Sequence, residues 1–264
     1  MDRRLLLILP YSLWFVFLVL SPFLFIFFTS LASRNELGVL SYGLHLDSFA
    51  QLTDPVYFSV LRRTFFLAGM NTAITICLAY PIAFFLSRIG KSESGFFLAL
   101  LLIPFWTNFL IRLLAFMDVL RLHLFGMDWL FTWNGMLAAL FYNYLPFAVL
   151  PLFSTLEKVP QSVLEAAQDL GASKRNVFFH VLWPMTKRGV MATSLLVFIP
   201  SLGEYLIPEI IGGGQQFFLG TFLQQQFFVS RNWPLGAAAI AILLVISIVL
   251  LRFGGNALLE ENRT

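Results

Sequence analysis

Six long, mostly apolar stretches without a charged residue leave this chain few ways to fold. They cover residues 5–33, 64–87, 94–111, 129–156, 189–203 and 232–251. A backbone surrounded by lipid must satisfy its own N–H and C=O groups, which at these lengths means helices. A spanning helix needs about 20 mostly apolar residues. The third stretch must therefore continue past Arg112 and the fifth past Glu204. This predicts an all-α integral membrane protein of six transmembrane helices, at about 5–31, 63–87, 95–118, 134–156, 188–211 and 233–253, in a single domain covering residues 1–264. Composition agrees: 12% of residues are charged, against about 25% in a soluble domain. The uncharged run from Leu5 to Ser33 exceeds the roughly 7–15 residues of a cleaved signal core, so it reads as a retained anchor.

Lysine and arginine set the expected orientation, because they concentrate in cytoplasmic loops. With the N-terminus inside, inner segments hold Arg3, Arg4, Arg88, Lys91, Lys158, Lys174, Arg175, Lys187, Arg188, Arg252 and Arg263. Outer segments hold Arg34, Arg62, Arg63, Arg112, Arg121 and Arg231. Eleven against six places both termini in the cytoplasm, and the net charge of +3 is read as topology rather than nucleic-acid binding. Residues 34–60 form an outer loop long enough for a short surface helix. Gly212-Gly213-Gly214-Gln215-Gln216 reads as a turn, and Asn256–Thr264 as a short polar tail.

The most organised pattern lies in the inner loop 157–187. Ser162-x-x-Glu165 is a capping-box signature for a helix start, and Gly171 suits a left-handed C′ position that ends the helix. Ser173 then caps a second helix that Pro184 limits. The first helix is expected to run about six to eight residues. Val163, Ala167 and Leu170 mark one face, Glu165 and Asp169 the other. Such a helix suits a groove on another protein, with a carboxylate available to an arginine. Packing on its own bundle is the competing reading at this level.

The run Glu165-Ala166-Ala167, three residues, Gly171, nine residues and then Val181-Leu182-Trp183-Pro184 resembles the coupling-loop signature of type I ATP-binding-cassette importer permeases. Val181 and Trp183 depart mildly from that pattern. The resemblance implies that this loop, between helices 4 and 5, docks on a separate ATPase, with Glu165, Ala166, Ala167, Asp169, Leu170, Gly171 and Pro184 as coupling residues. Pro104–Arg112, Pro200–Glu209 and Asn232–Ala238 are similar to the B-type permease subunits of spermidine/putrescine importers. The implied partners are a second, C-type permease chain, two copies of the ATPase and an extracytoplasmic binding protein, in a bacterial inner membrane. The implied cargo is a polyamine. Ferric iron, an oxyanion or an organic anion is the alternative, and a membrane-embedded enzyme or assembly factor the more distant one.

No catalytic, cofactor or metal site is expected in this chain. It lacks a G-x-x-x-x-G-K-[ST] phosphate loop, so ATP and magnesium would sit on the partner ATPase. His45, His123 and His180 are far apart, and the lone Cys77 reads as a small buried apolar residue. Ionisable residues at membrane depth usually line a path or pair with each other. Arg112, Asp118 and Glu204 stand out, with Arg112 and Glu204 at similar expected heights and mutual pairing as the structural expectation. Trp106, Asn108, Asn143, Tyr144 and Tyr205 complete the candidate translocation path. Asn71 and Thr72 read as interhelical hydrogen bonders, and Pro81, Pro146, Pro151 and Pro200 as points where helices kink or break.

Overall fold

The computed structural model describes residues 3–35, 38–122 and 128–259. His123, Arg263 and residues 260–264 of the expected tail lie outside these. Helices dominate: α1 (Arg3–Ser30), α2 (Asp47–Gln51), α3 (Pro55–Leu86), α4 (Lys91–Leu102), α5 (Phe109–Arg121), α6 (Trp133–Leu156), α7 (Gln161–Asp169), α8 (Lys174–Val177), α9 (Trp183–Leu202), α10 (Leu206–Ile210), α11 (Leu219–Gln224) and α12 (Trp233–Leu259). Internal contacts divide the chain into two compact units. One comprises the chain up to Leu61 with Phe222–Ile248, the other Arg62–Thr221 with the segment from Val249.

In the first unit α1 leads into a two-stranded antiparallel hairpin, β1 (Ser33–Arg34) and β2 (Leu40–Ser41), with Ser33 opposite Ser41. Arg34 donates to the Ser230 carbonyl at 3.0 Å. The short surface helix expected in residues 34–60 is α2, but Ser48 within it is buried. The α1 side chains Tyr11, Trp14, Phe17 and Leu18 are all exposed, an arrangement that only a lipid solvent or a partner makes cheap.

The second unit holds the core, where α6 packs most extensively against α9. Leu140, Val149, Leu152, Leu156 and Val197 are fully buried there. Close approach depends on Gly189, where a Cβ would collide with Thr155 of α6. Small residues at such crossings are how membrane helices gain contact without a hydrophobic drive. Tyr80 on α3 hydrogen-bonds Thr186 on α9 at 2.9 Å.

The elements differ in detail from the expected spans. Among the described residues four helices are long and apolar enough to cross a membrane, or five if the bent pair 91–121 counts as one broken span. The third span is that broken pair, with a bend of 100°. Ile103–Trp106 tightens into a 3-10 turn, Thr107 is extended, and Asn108 starts α5 afresh by accepting from the Leu110 amide at 2.9 Å. The expected fifth span, 188–211, stops as a helix at Leu202. Thr186, Lys187, Arg188, Thr193 and Ser194 dilute the apolar character of α9. Pro81, Pro146, Pro151 and Pro200 do not end their helices; α3, α6 and α9 run through them. Cys77 is exposed rather than buried, on the outward face of α3.

Candidate functional site

The chain leaves α6 at Leu156 and enters α7 through a short elbow. Arg88, just past the end of α3, reaches this elbow from the side. Its guanidinium donates to the carbonyls of Val159 at 3.0 Å and Leu156 at 3.4 Å and lies 5.1 Å from the Phe84 ring centroid. The Leu156 carbonyl belongs to the negative end of α6, where a cation is favourable, and that of Val159 lies in the elbow beyond it. Burial pulls the Arg88 pKa down from the ordinary arginine value, and Tyr80 acts the other way. An arginine nonetheless stays charged in proteins.

Helix α7 is nine residues long and begins at Gln161, with Pro160 as its N-cap and no side-chain cap. The Ser162–Glu165 capping box is therefore not formed: the helix starts one residue before Ser162, which sits inside the first turn. The expected apolar face is also split. Leu164 is buried and Ala167 packs against the core, while Val163 is 38% and Leu170 90% exposed. Glu165, Ala166 and Asp169 are exposed as well. The helix thus turns one apolar edge to its own bundle and leaves another uncovered.

The C-terminal turn forms as the sequence indicates. Gly171 has φ +86°, its N–H bonds the Gln168 carbonyl at 2.8 Å, and the Ala172 N–H bonds the Ala167 carbonyl at 3.1 Å. This pair of bonds is a Schellman motif. Ser173 caps α8 by accepting from the Asn176 amide at 3.3 Å. Pro184 does not limit that second helix. A π turn, Phe178–Leu182, carries the helix into α9, the Trp183 N–H bonding the Phe178 carbonyl. Pro184 falls in the first turn of α9, where a missing N–H is tolerated. Helical backbone therefore runs from Lys174 to Leu202, joining the loop to the other group of candidate residues.

That group gathers where α9 ends. Tyr144 on α6 donates to Glu204 Oε2 at 3.3 Å, and the backbone N–H groups of Ile207, Leu206 and Tyr205 approach the same carboxylate. The Tyr144 hydroxyl also meets Ser201. Ser201 Oγ accepts from Asn71 Nδ2 at 2.9 Å, and Asn71 Oδ1 accepts from Thr75 at 3.3 Å. Asn71 and Thr75 are fully buried. A polar chain thus links α3, α9 and α6 through an apolar interior.

Arg112 takes a different partner from the one expected. It donates to Asn143 Oδ1 at 2.8 Å and to the Pro104 carbonyl at 3.2 Å. Its guanidinium stacks 4.1 Å from the Phe105 centroid and 5.5 Å from that of Phe109. The expected Arg112–Glu204 pair is not formed, because the break at residues 107–108 exposes the Pro104 carbonyl to Arg112 and Tyr144 occupies Glu204. Asn143 and Tyr144, consecutive on α6, hold one charge each. Asp118 pairs with Arg121 at 3.2 Å, both exposed. Trp106 is 88% exposed, Asn108 is an exposed cap, and Tyr205 is partly exposed beside Glu204.

Residues 5–262 match the family described as the binding-protein-dependent transport system inner membrane component. The chain belongs to this family. It is a multi-pass inner-membrane permease. It is 35% identical over 252 residues to the spermidine/putrescine transport system permease protein PotB of Escherichia coli K12, covering 90% of this chain and 92% of that one. The PotB of Haemophilus influenzae is 33% identical over 253 residues, covering 91% and 88%. A solved bacterial ATP-binding-cassette transporter that imports alginate superposes with a TM-score of 0.67 at 12% identity, covering 95% of this permease and 93% of that chain, which supports the fold alone.

Sequence reasoning missed three residues of the permease. In the sequence Arg88 is marked only by its charge, Ser201 only as part of the Pro200–Glu209 resemblance, and Thr75 by nothing. Nothing local gives them their roles; their partners lie 71, 130 and 4 residues away, and only the last separation is readable as a helical i,i+4 pair.

Proposed function

We propose that this chain is the membrane subunit through which polyamines, spermidine or putrescine, enter the cell. A binding protein outside delivers the cargo, a second permease chain completes the path, and two copies of a separate ATPase supply the energy. The 35% identity with spermidine/putrescine permeases over 252 residues carries this reading. The polar site is chemically compatible with it. Glu204 offers a carboxylate to an ammonium, and Tyr144 and Tyr205 offer aromatic faces at which a cation is favoured. Arg112 is turned into Phe105, Phe109 and Asn143, which limits its repulsion of cationic cargo. Both termini and the 157–187 loop face the cytoplasm on this reading, and α7 docks on the ATPase through its uncovered edge at Val163, Ala166 and Leu170. This chain acts as a transport subunit and not as an enzyme, with ATP and magnesium held by the ATPase.

The test is reconstitution of the complete transporter in vesicles with its binding protein. ATP-dependent uptake of labelled spermidine or putrescine is expected, and uptake of ferric iron or oxyanions is not. Glu204→Gln should preserve yield and lower polyamine uptake about tenfold or more, the scale of losing one charge-assisted hydrogen bond. Accumulation of an anion and no polyamine would overturn the assignment.

A further inference from the structure

Arg88 is placed where a residue concerned only with topology would not need to be. Its side chain turns back from the α3–α4 connection and spans two carbonyls, Leu156 and Val159. Those two residues bracket the elbow that joins the last turn of α6 to the coupling helix α7, which starts at Gln161. Leu156 is fully buried and Val159 nearly so, so the elbow is anchored in the core on its apolar side and by Arg88 on its polar side. The guanidinium lies over the Phe84 ring. Arg88 Nε is buried and has no acceptor. An unsatisfied buried donor is unfavourable, and a cation seeking hydration alone would extend toward water. The guanidinium is held inward by the elbow instead.

The planar fork matters here. Two carbonyls at different positions of a turn are met by two separate N–H groups, which arginine presents in fixed geometry and lysine does not. We propose that Arg88 is a positioning residue for energy coupling: it fixes the angle at which α7 leaves α6, and so the aim of the edge that meets the ATPase. This rests on the reading of α7 as the ATPase-docking helix. Motion imposed on α7 by the ATPase would pass into α6 at the elbow and into α9 through the continuous helix beyond Ser173. A loose elbow would let α7 follow the ATPase while the bundle stayed still.

The experiment uses the complete transporter in vesicles, with Arg88→Lys, Arg88→Gln and, as a control in the same connection, the exposed Lys91→Ala. Yield, ATPase attachment, unstimulated ATP hydrolysis, cargo-stimulated hydrolysis and cargo imported per ATP are measured. Both Arg88 variants should insert and bind the ATPase, keep unstimulated hydrolysis and lose cargo stimulation by about tenfold, within the usual range of coupling between sites. Lys91→Ala should match the parent. Rescue by Arg88→Lys would overturn the two-carbonyl clamp, since any cation would then serve. A fall in yield with stimulated and unstimulated hydrolysis reduced together would overturn it in favour of a folding role, and an unchanged import ratio in both variants would overturn it outright. Leu170→Glu tests the docking reading separately: if the ATPase stays attached and transport persists, that reading fails whatever the Arg88 variants do.

Discussion

Asn71 shows the demands on a polar side chain deep in a membrane bundle. It has no exposed surface, and both ends of its amide are engaged, by Ser201 and by Thr75. Replacing it with leucine removes the donor to Ser201 and the acceptor for Thr75. Both hydroxyls have local alternatives in helical carbonyls; Ser201 already donates to Val197 at 2.7 Å. The expected cost is therefore modest, about 0.6–2 kcal/mol, read as a lower thermal midpoint of the purified complex. Ser201→Ala should cost a similar amount, and the double variant should cost less than the sum, because the two residues share one bond. Strict additivity would mean that this bond contributes nothing. For Arg112 and Glu204 the geometry makes a different prediction. Exchanging their charges should not restore transport, since each holds its own partner. Recovery of uptake in the Arg112→Glu, Glu204→Arg double variant, measured against each single one, would contradict the separation seen here.

At the scale of elements the coupling loop shows which features a sequence displays. The Gly171 turn and the Ser173 cap were legible because their hydrogen bonds close within five residues and depend on residue type. The capping box at Ser162 misled, because the helix begins at Gln161, one residue before the serine, with Pro160 as a cap that makes no side-chain bond. The division of α7's apolar residues between bundle and surface was not legible. Val163, Leu164, Ala167 and Leu170 satisfy more than one helical stripe, and only tertiary packing chose Leu164 and Ala167 for the core. The break at residues 107–108 escaped for a related reason. A proline and an asparagine within an apolar run are compatible with a kinked helix, and the bend is fixed by the cap at Asn108 and by Arg112 closing on the Pro104 carbonyl. At Gly171 the prediction is direct. Its φ is +86° and an added Cβ meets nothing within 4 Å, so a substitution is opposed by the backbone alone. Gly171→Ala should cost about 1–2 kcal/mol of local stability, and Gly171→Val at least as much. Both should insert normally while cargo-stimulated ATP hydrolysis falls. Wild-type stimulation in Gly171→Val would remove the turn from the coupling role.

For the whole molecule the proposed orientation makes the sharpest prediction, and the arginine pair at 62–63 is its least comfortable element. On the proposed topology these two cations lie at the outer end of a span, against the general bias. Helix α3 eases that conflict. It contains 32 residues and is about 48 Å long at ~1.5 Å per residue, against a hydrocarbon core of about 30 Å. The helix starts at Pro55, so Arg62 and Arg63 stand two turns inside it, both exposed. Their long side chains can reach the interface from there. The proposed orientation then rests on the excess of inner Lys and Arg. Single cysteines introduced into a Cys77→Ser background test it in intact cells with a membrane-impermeant thiol reagent. Ser48 is a poor outer probe, being 5% exposed, whereas Leu44 is 89% exposed. Leu44→Cys should label readily, and Lys174→Cys only after the cells are opened. The opposite pattern would invert the protein in the membrane, put α7 on the side without ATP, and leave the coupling assignment without a partner to couple to.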